Sequence, residues 1–365
     1  MARTVPLARR NLLAEPRRLA ASAAGVGMAL MLILLLDGLW AGIEANVTTY
    51  EDNVGADLFI AQPGTRNFFG AVSSIPADTV STALADPDVE WAAAVRGFFS
   101  IVELHGRKVP TYVIGSTPGE RGGPWDTPAG RAPVADDEVA IGSVIAQRHG
   151  LDLGDDLEIM GRSFTVVGTS ADAFMASFVF MTHAATDDLL RAPETTSFVL
   201  IGTDDPDAVR ARLAATGLAV LDRDQLARND LALIARAYEV PLAVMRSVAF
   251  VIGSLVIALT AYSAVAERRR DYGIVKAIGA SSRRLISLAV QQSLIVSALG
   301  LMAGALLFLG GRAVITSVRP QFIILATPGS ILRAVVAAVL MGLVASVLPA
   351  RQLAKLEPAS AYRGG

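Results

Sequence analysis

Apolar and polar positions divide the chain into four long uncharged runs and one long mixed stretch. The first run, "LAASAAGVGMALMLILLLDGLWAGI" (Leu19–Ile43), carries a single charge, Asp37, near its far end. The second is "SVAFVIGSLVIALTAYSAVA" (Ser247–Ala266), and the third runs from Leu285 to Gly311. The fourth, from Ala334 to Ala350, is closed by Pro349 and Arg351, and the uncharged residues before Arg333 lengthen it. A helix crossing the hydrocarbon core of a bilayer needs about 20 such residues. One run alone would fit a buried core helix, but three crowded into the C-terminal third fit membrane spans. The basic head before the first run (Arg9, Arg10, Arg17, Arg18) also suits a secretory leader. The apolar stretch is too long for one and no A-x-A site follows Leu36, so the run is read as a retained anchor.

Between the first and second runs the periods shorten. "ADLFIAQPG" (Ala56–Gly64) predicts an edge strand stopped by Pro-Gly. "PADTVSTALADP" (Pro76–Pro87) has a helical period. "FFSIVELHGRKVPTYVIGSTPG" (Phe98–Gly119) predicts two strands joined by a turn at His105-Gly106. "STPGERGGPWDTPAGRAP" (Ser116–Pro133) reads as a loop between subdomains. "DEVAIGSVIAQRHGLDLGDDLEIMGRSFTVVGTS" (Asp137–Ser170) predicts short strands around one helix, with turns at Gly150, Gly154 and Gly161. Two further helices follow, over Asp205–Gly217 and Asp222–Val240, the second rising toward the second span with Pro241 placed to kink it.

Charge orients these pieces, because Lys and Arg collect in short cytoplasmic loops. Lys and Arg against Asp and Glu number 5 to 1 over residues 1–18, 6 to 2 over 267–284 and 3 to 1 over 351–365. Over residues 44–240 the ratio is 14 to 29, an asymmetry hidden by the net charge of −2. The expected fold class is an integral membrane protein with four transmembrane α-helices (1+3) and a large α+β extracytoplasmic domain inserted between spans one and two. The expected order is a cytoplasmic N-terminus (1–18), a span (19–43), the outer domain (44–240) and a span (241–266). A cytoplasmic loop (267–284), a span (285–311), an outer loop (312–330), a span (331–350) and a cytoplasmic tail (351–365) complete it. The outer loop runs against the charge rule, carrying Arg312 and Arg319 and no acid. A hydrophobic content of 53% and a mean hydropathy of +0.48 agree with a membrane protein.

Much chemistry is absent. There is no cysteine, hence no disulfide and no thiolate. None of the three lysines (Lys108, Lys276, Lys355) follows a glycine, so there is no P-loop to cradle a nucleotide's phosphates. His105, His149 and His183 are far apart and fit surface or turn positions better than metal ligation. Asp136-Asp137 and Asp155-Asp156 fall in predicted turns, where aspartate is expected. No catalytic residue and no metal site is expected, and no nucleic-acid partner. Asp37 reads as a solvated residue at the outer end of its span. Ala21, Gly25 and Ala29, every fourth residue of the first span, and Gly300 and Gly304 of the third are expected to let helices approach closely.

The segment "ERRRDYGIVKAIGASSRRL" (Glu267–Leu285) needs a separate account. Its arginines keep it cytoplasmic, but they do not explain Ile274, Val275 and Ile278. A short helix would carry Tyr272, Ile274, Val275 and Ile278 on neighbouring faces, with Gly279 ending it and Ser281 or Ser282 capping the next. Such a helix either lies on the membrane surface or docks into a cytosolic partner.

This segment, continued as "ISLAVQQSLIV", resembles the hallmark of the FtsX/MacB-type (mechanotransmission) permeases of ABC transporters. The ending "LPARQLAKLEPASAYRGG", with Pro349, Arg351, Pro358 and Ala361, is similar to that family's close, and the likeness extends to Ala56–Gly64 and Asp137–Ser170. The resemblance implies a half-transporter in a bacterial cytoplasmic membrane, paired with a second copy or a paralogous permease and worked by a separate ATPase subunit. ATP and Mg would then belong to the partner, and this chain would hold no cofactor. The cytoplasmic loop would act as a coupling helix, with Arg270, Asp271, Tyr272, Gly273, Ile274, Val275, Lys276, Ile278 and Gly279 forming the ATPase contact. The expected work is export or extraction of a lipid, lipoprotein or hydrophobic peptide, with an extracytoplasmic adaptor possible. The alternative is signalling to a cell-wall hydrolase without transport.

Overall fold

The computed structural model describes residues 16–70, 72–104, 107–172, 177–318 and 322–355. In chain order the described elements begin with α1 (Pro16–Val47), α2 (Thr49–Asn53), β1 (Leu58–Ala61), β2 (Ile75–Pro76), α3 (Thr79–Leu84), β3 (Val89–Leu104) and β4 (Arg107–Ser116). There follow β5 (Ala129–Gly130), β6 (Glu138–Gly142), α4 (Ser143–His149), β7 (Asp156–Ile159), β8 (Arg162–Ser170), β9 (Ser177–Thr182) and α5 (His183–Leu190). Then come β10 (Thr195–Thr196), β11 (Phe198–Thr203), α6 (Pro206–Ala214), β12 (Ala219–Asp222) and α7 (Arg223–Glu267). The chain closes with α8 (Arg269–Ala277), α9 (Ser282–Val318), α10 (Pro328–Ala345) and α11 (Val347–Ala354). These elements form two units, residues 43–238 and residues 1–42 with 239–365.

Among the described residues four helices are long and apolar enough to cross a bilayer: Pro16–Val47, Arg223–Glu267, Ser282–Val318 and Pro328–Ala354. The sheet-containing domain lies between the first two, so the chain is a four-span membrane protein with one inserted domain. The segment Asp222–Val240 and the second span are not separate elements; they run on as the 45-residue α7, with Pro241 inside it. The third span's helix reaches Val318, which takes Arg312 into the helix; Arg319 lies outside the described residues.

Small residues set the distances within the membrane unit. A Cβ at Gly25 would stand 3.2 Å from Val256, and one at Gly253 would stand 3.0 Å from Ala29, so spans one and two meet along two positions of the expected stripe. Ala21, the third, is exposed. A Cβ at Gly300 would sit 2.5 Å from Val26, and one at Gly304 would sit 2.8 Å from the Gly27 carbonyl oxygen. Spans one and three thus touch through backbone, which lipid-solvated helices achieve only with small residues at the crossing. Around this contact Val26, Leu30, Ile33, Ile257, Val296 and Met341 form the buried centre of the bundle.

The outer unit is a mixed ten-stranded sheet in the order β12-β1-β11-β3-β4-β9-β6-β8-β5, with β7 paired to β8. The β4–β9 and β6–β8 pairs are parallel and the other pairs of this sheet antiparallel. Alternation along its strands assigns each residue a face. Phe178 and Phe180 enter an aromatic core with Tyr50, Phe68, Tyr112 and Phe198. Val179 and Met181, between and beyond them, enter a second core with Val113, Ile141 and Phe164.

β1 is not an edge strand: it pairs with β11 on one side and β12 on the other, and all four of its residues are buried. The Gly/Pro-rich stretch does not separate subdomains, because a single sheet continues on both sides of it. The turns at Gly150, Gly154 and Gly161 are present, each with positive φ. His105-Gly106 lies outside the described residues.

Candidate functional site

The cytoplasmic connection forms a nine-residue helix, α8, with a glycine stop. Gly279 takes φ +100°, its N–H reaches the Lys276 carbonyl at 3.1 Å, and the Ala280 N–H reaches the Val275 carbonyl at 3.1 Å. That double closure is a Schellman motif, which needs a left-handed residue at the position Gly279 holds. The next helix starts at once, with Ser281 at its N-cap position and its carbonyl accepting from Arg284 and Leu285.

Two faces of α8 have different fates. Tyr272 is 7% exposed and packs with Val265, Leu285, Ala289 and Leu353, with Val275 against the same cluster. Gly273 is buried beside it, and Lys276 donates to the Ala354 carbonyl at 3.3 Å. This face packs α8 against the ends of α7 and α9 and against α11, so among the residues expected at the ATPase contact Tyr272 is buried and Val275 half-buried in the bundle. Short turns at both ends fold the helix back onto the span termini, and Leu353 of α11 completes the packing from far along the chain. Ile274 at 41% and Ile278 at 80% exposure point away from that clamp, and Arg270 and Asp271 are exposed with them. An exposed isoleucine pair beside a basic flank is a small apolar contact with a charged rim, the form of a protein-docking patch.

A second cluster lies at the other end of the spans. Asp37, expected in water, is 1% exposed. Its Oδ1 accepts from Arg246 Nη1 at 2.5 Å and its Oδ2 from Arg333 Nε at 2.9 Å. Counter-charges from spans two and four replace hydration, and that is why the carboxylate can be buried. Sequence reasoning passed over both arginines, although each stands directly before an uncharged run. At the cytoplasmic end Arg18 Nη1 donates to Glu267 Oε2 at 2.6 Å, and Ser22 and Thr260 share a hydroxyl hydrogen bond of 2.8 Å. Asp37 follows Arg18 by nineteen residues, a helical rise of about 28 Å. The two ion-pair clusters therefore bracket a layer matching the roughly 30 Å hydrocarbon core.

In the outer unit two carboxyls are buried together. Glu51 is fully buried; burial first, and the neighbouring Asp230 next, push its pKa well above the carboxylate range. Asp230 accepts from the Phe68 and Phe69 N–H groups at 2.7 and 3.1 Å, while burial pushes its pKa up to about 6. His183 is no surface residue: its ring meets Thr196 at 3.1 Å and Asp187 at 3.3 Å, and Asp187 pairs with the buried Arg96 at 2.7 Å. Burial lowers the His183 pKa, and the Arg96–Asp187 pair ties α5 to β3. Among the described residues no group of His, Cys, Asp and Glu is arranged to hold a metal ion.

Four spans, an inserted sheet domain and a short helix with an exposed face between the second and third spans define a multi-pass membrane protein. Residues 243–358 match the FtsX-like permease C-terminal family and residues 19–216 the MacB-like periplasmic core domain. The chain is 28% identical over 356 residues to a protein of Mycobacterium tuberculosis named uncharacterized ABC transporter permease Rv0072, covering 95% of this chain and 96% of that one. It is 25% identical over 352 residues to a second one named likewise, Rv2563, again covering 95% and 96%. Among solved structures, the periplasmic region of MacB from Actinobacillus actinomycetemcomitans aligns over 48% of this chain and 94% of that chain, at 11% identity and a TM-score of 0.38. The chain belongs to the FtsX/MacB family of ABC transporter permeases.

Proposed function

We propose that this permease converts ATP hydrolysis in a separate cytoplasmic ATPase subunit into movement of its outer domain, and so exports or extracts an envelope substrate. Lipids, lipoproteins and hydrophobic peptides are the substrate classes in view. The observation that carries the reading is the two-faced α8. Tyr272 fixes one face to the span ends, and Ile278 and Ile274 present the other to the cytoplasm. A push on the exposed face is passed to α7, α9 and α11, because the clamped face leaves no slack. ATP and Mg would be held by the partner, since this chain has no P-loop. Each nucleotide-binding dimer would engage two such helices, one from this chain and one from a second copy or a paralogue.

Affinity capture of the full chain from its native membrane tests the proposal. An ABC ATPase should be recovered in near-equal amount, and its hydrolysis should rise when the permease is present. Repeated recovery of the chain with no ATPase would sink it. Binding of a cell-wall hydrolase by the outer domain, with hydrolysis of ATP but no substrate moved, would instead favour a signalling role.

A further inference from the structure

We propose that the cleft at the outer end of the bundle binds the head group of an anionic membrane lipid. The cleft is open, has a volume of about 540 Å³ and is walled by spans one, two and four. That volume lies within the range of about 300–1,000 Å³ usual for ligand sites.

Six of its nine lining residues are arranged in two tiers, one helical turn apart on each span. The outer tier is Asp37, Arg246 and Arg333; the tier beneath is Ile33, Phe250 and Ala337. Residues four apart share a helix face, so on each of the three helices a charged residue stands over an apolar one. Span one runs outward while spans two and four run inward, so Ile33, Phe250 and Ala337 all lie on the bilayer side of the charges. The charged tier is at head-group depth, about 28 Å along α1 from Arg18. A head group over an acyl stem has the same order of polarity.

Charge names the sign of the ligand. One buried carboxylate faces two guanidiniums, so the tier keeps a net positive charge after its own pairing. Among the described residues, each guanidinium uses a single N–H on Asp37. The other donors form forks suited to phosphate oxygens. Asp37 orients both arginines, and their side chains are 29% and 53% exposed, within reach of a head group entering from the membrane. A zwitterionic head would gain less, because its own cation would meet the same two arginines.

This inference rests on the permease reading only for which end of the spans faces outward. Its test uses the permease alone, so a missing ATPase would overturn the proposed function and leave this result standing. The full chain in detergent is offered equal amounts of phosphatidylglycerol and phosphatidylcholine, and bound lipid is counted by native mass spectrometry. The wild-type chain should prefer phosphatidylglycerol about tenfold, the ratio given by one additional charge-assisted contact. The neutral triple variant Asp37→Asn, Arg246→Gln, Arg333→Gln leaves no unpaired buried charge and should bind the two lipids about equally. Asp37→Asn alone keeps both arginines and should strengthen the preference. The proposal is overturned by a wild-type chain without preference, or by a triple variant that keeps it, which would place the lipid on the bundle's general surface. Should the triple variant not fold, an Asp37→Asn chain with unchanged preference overturns it equally.

Discussion

Gly304 shows how much one hydrogen atom decides in the membrane unit. A methyl at that position would stand 2.8 Å from the Gly27 carbonyl oxygen and 3.1 Å from Leu30 Cβ, and backbone cannot swing aside as a flexible side chain can. Gly304→Val should therefore lower the stability of the full chain by about 1–3 kcal/mol, the usual cost of overpacking. The readout is the thermal unfolding midpoint in detergent. Gly310→Val, where nothing stands within 4 Å of an added Cβ, is the matched control and should change it little. At the outer domain's buried pair the prediction is one of pH. The folded chain holds protons on Glu51 and Asp230 at pH values where unfolded carboxyls, with pKa values near about 4, have released them. More protons bound in the folded state means that stability falls as pH rises from about 4 through the raised values. Glu51→Gln should flatten the dependence of the unfolding midpoint between pH 5 and 8 and gain on the wild type at the upper end. An unchanged slope would show that Glu51 holds no extra proton in the folded chain.

The helix α8, proposed as the coupling element, makes a two-sided prediction. Tyr272→Ala removes the residue that joins α8 to Val265, Leu285, Ala289 and Leu353, so α8 should become mobile and hydrogen exchange at residues 269–280 should rise. Ile278→Asp changes a side chain that is 80% exposed and should leave that exchange unchanged. Gly279→Ala forces a side chain into φ +100° and should cost about 1 kcal/mol at the helix stop. The helix and its Gly279 terminus were legible in the sequence because spacing and stop chemistry are local. Which isoleucine or aromatic faced inward was not, because that depends on Leu353, more than seventy residues away. The same limit appears elsewhere. Uncharged length alone located the four spans, while the burial of Asp37 depended on arginines 209 and 296 residues distant. β1 read as an edge strand because Pro-Gly follows it, yet β12 folds back to cover it. The Gly25 and Ala29 stripe was visible, but the backbone contact between spans one and three used Gly27, a position off that stripe.

For the whole molecule, the membrane unit is fastened at both faces of the bilayer: Arg18 to Glu267 on one side, Asp37 to Arg246 and Arg333 on the other. Both fasteners join span one to span two, and the outer one adds span four. Under the proposed coupling, force entering at α8 would meet a bundle tied at its ends and packed on glycines at its centre, which favours motion of helices as units over local bending. The central claim is that this force enters through the exposed face of α8. The most direct measurement is ATP hydrolysis by the partner ATPase, reconstituted in lipid with the wild-type permease or with Ile278→Asp. The account predicts that the variant inserts, folds and unfolds like the wild type but loses the stimulation of hydrolysis. Full stimulation by a correctly inserted Ile278→Asp chain would contradict it.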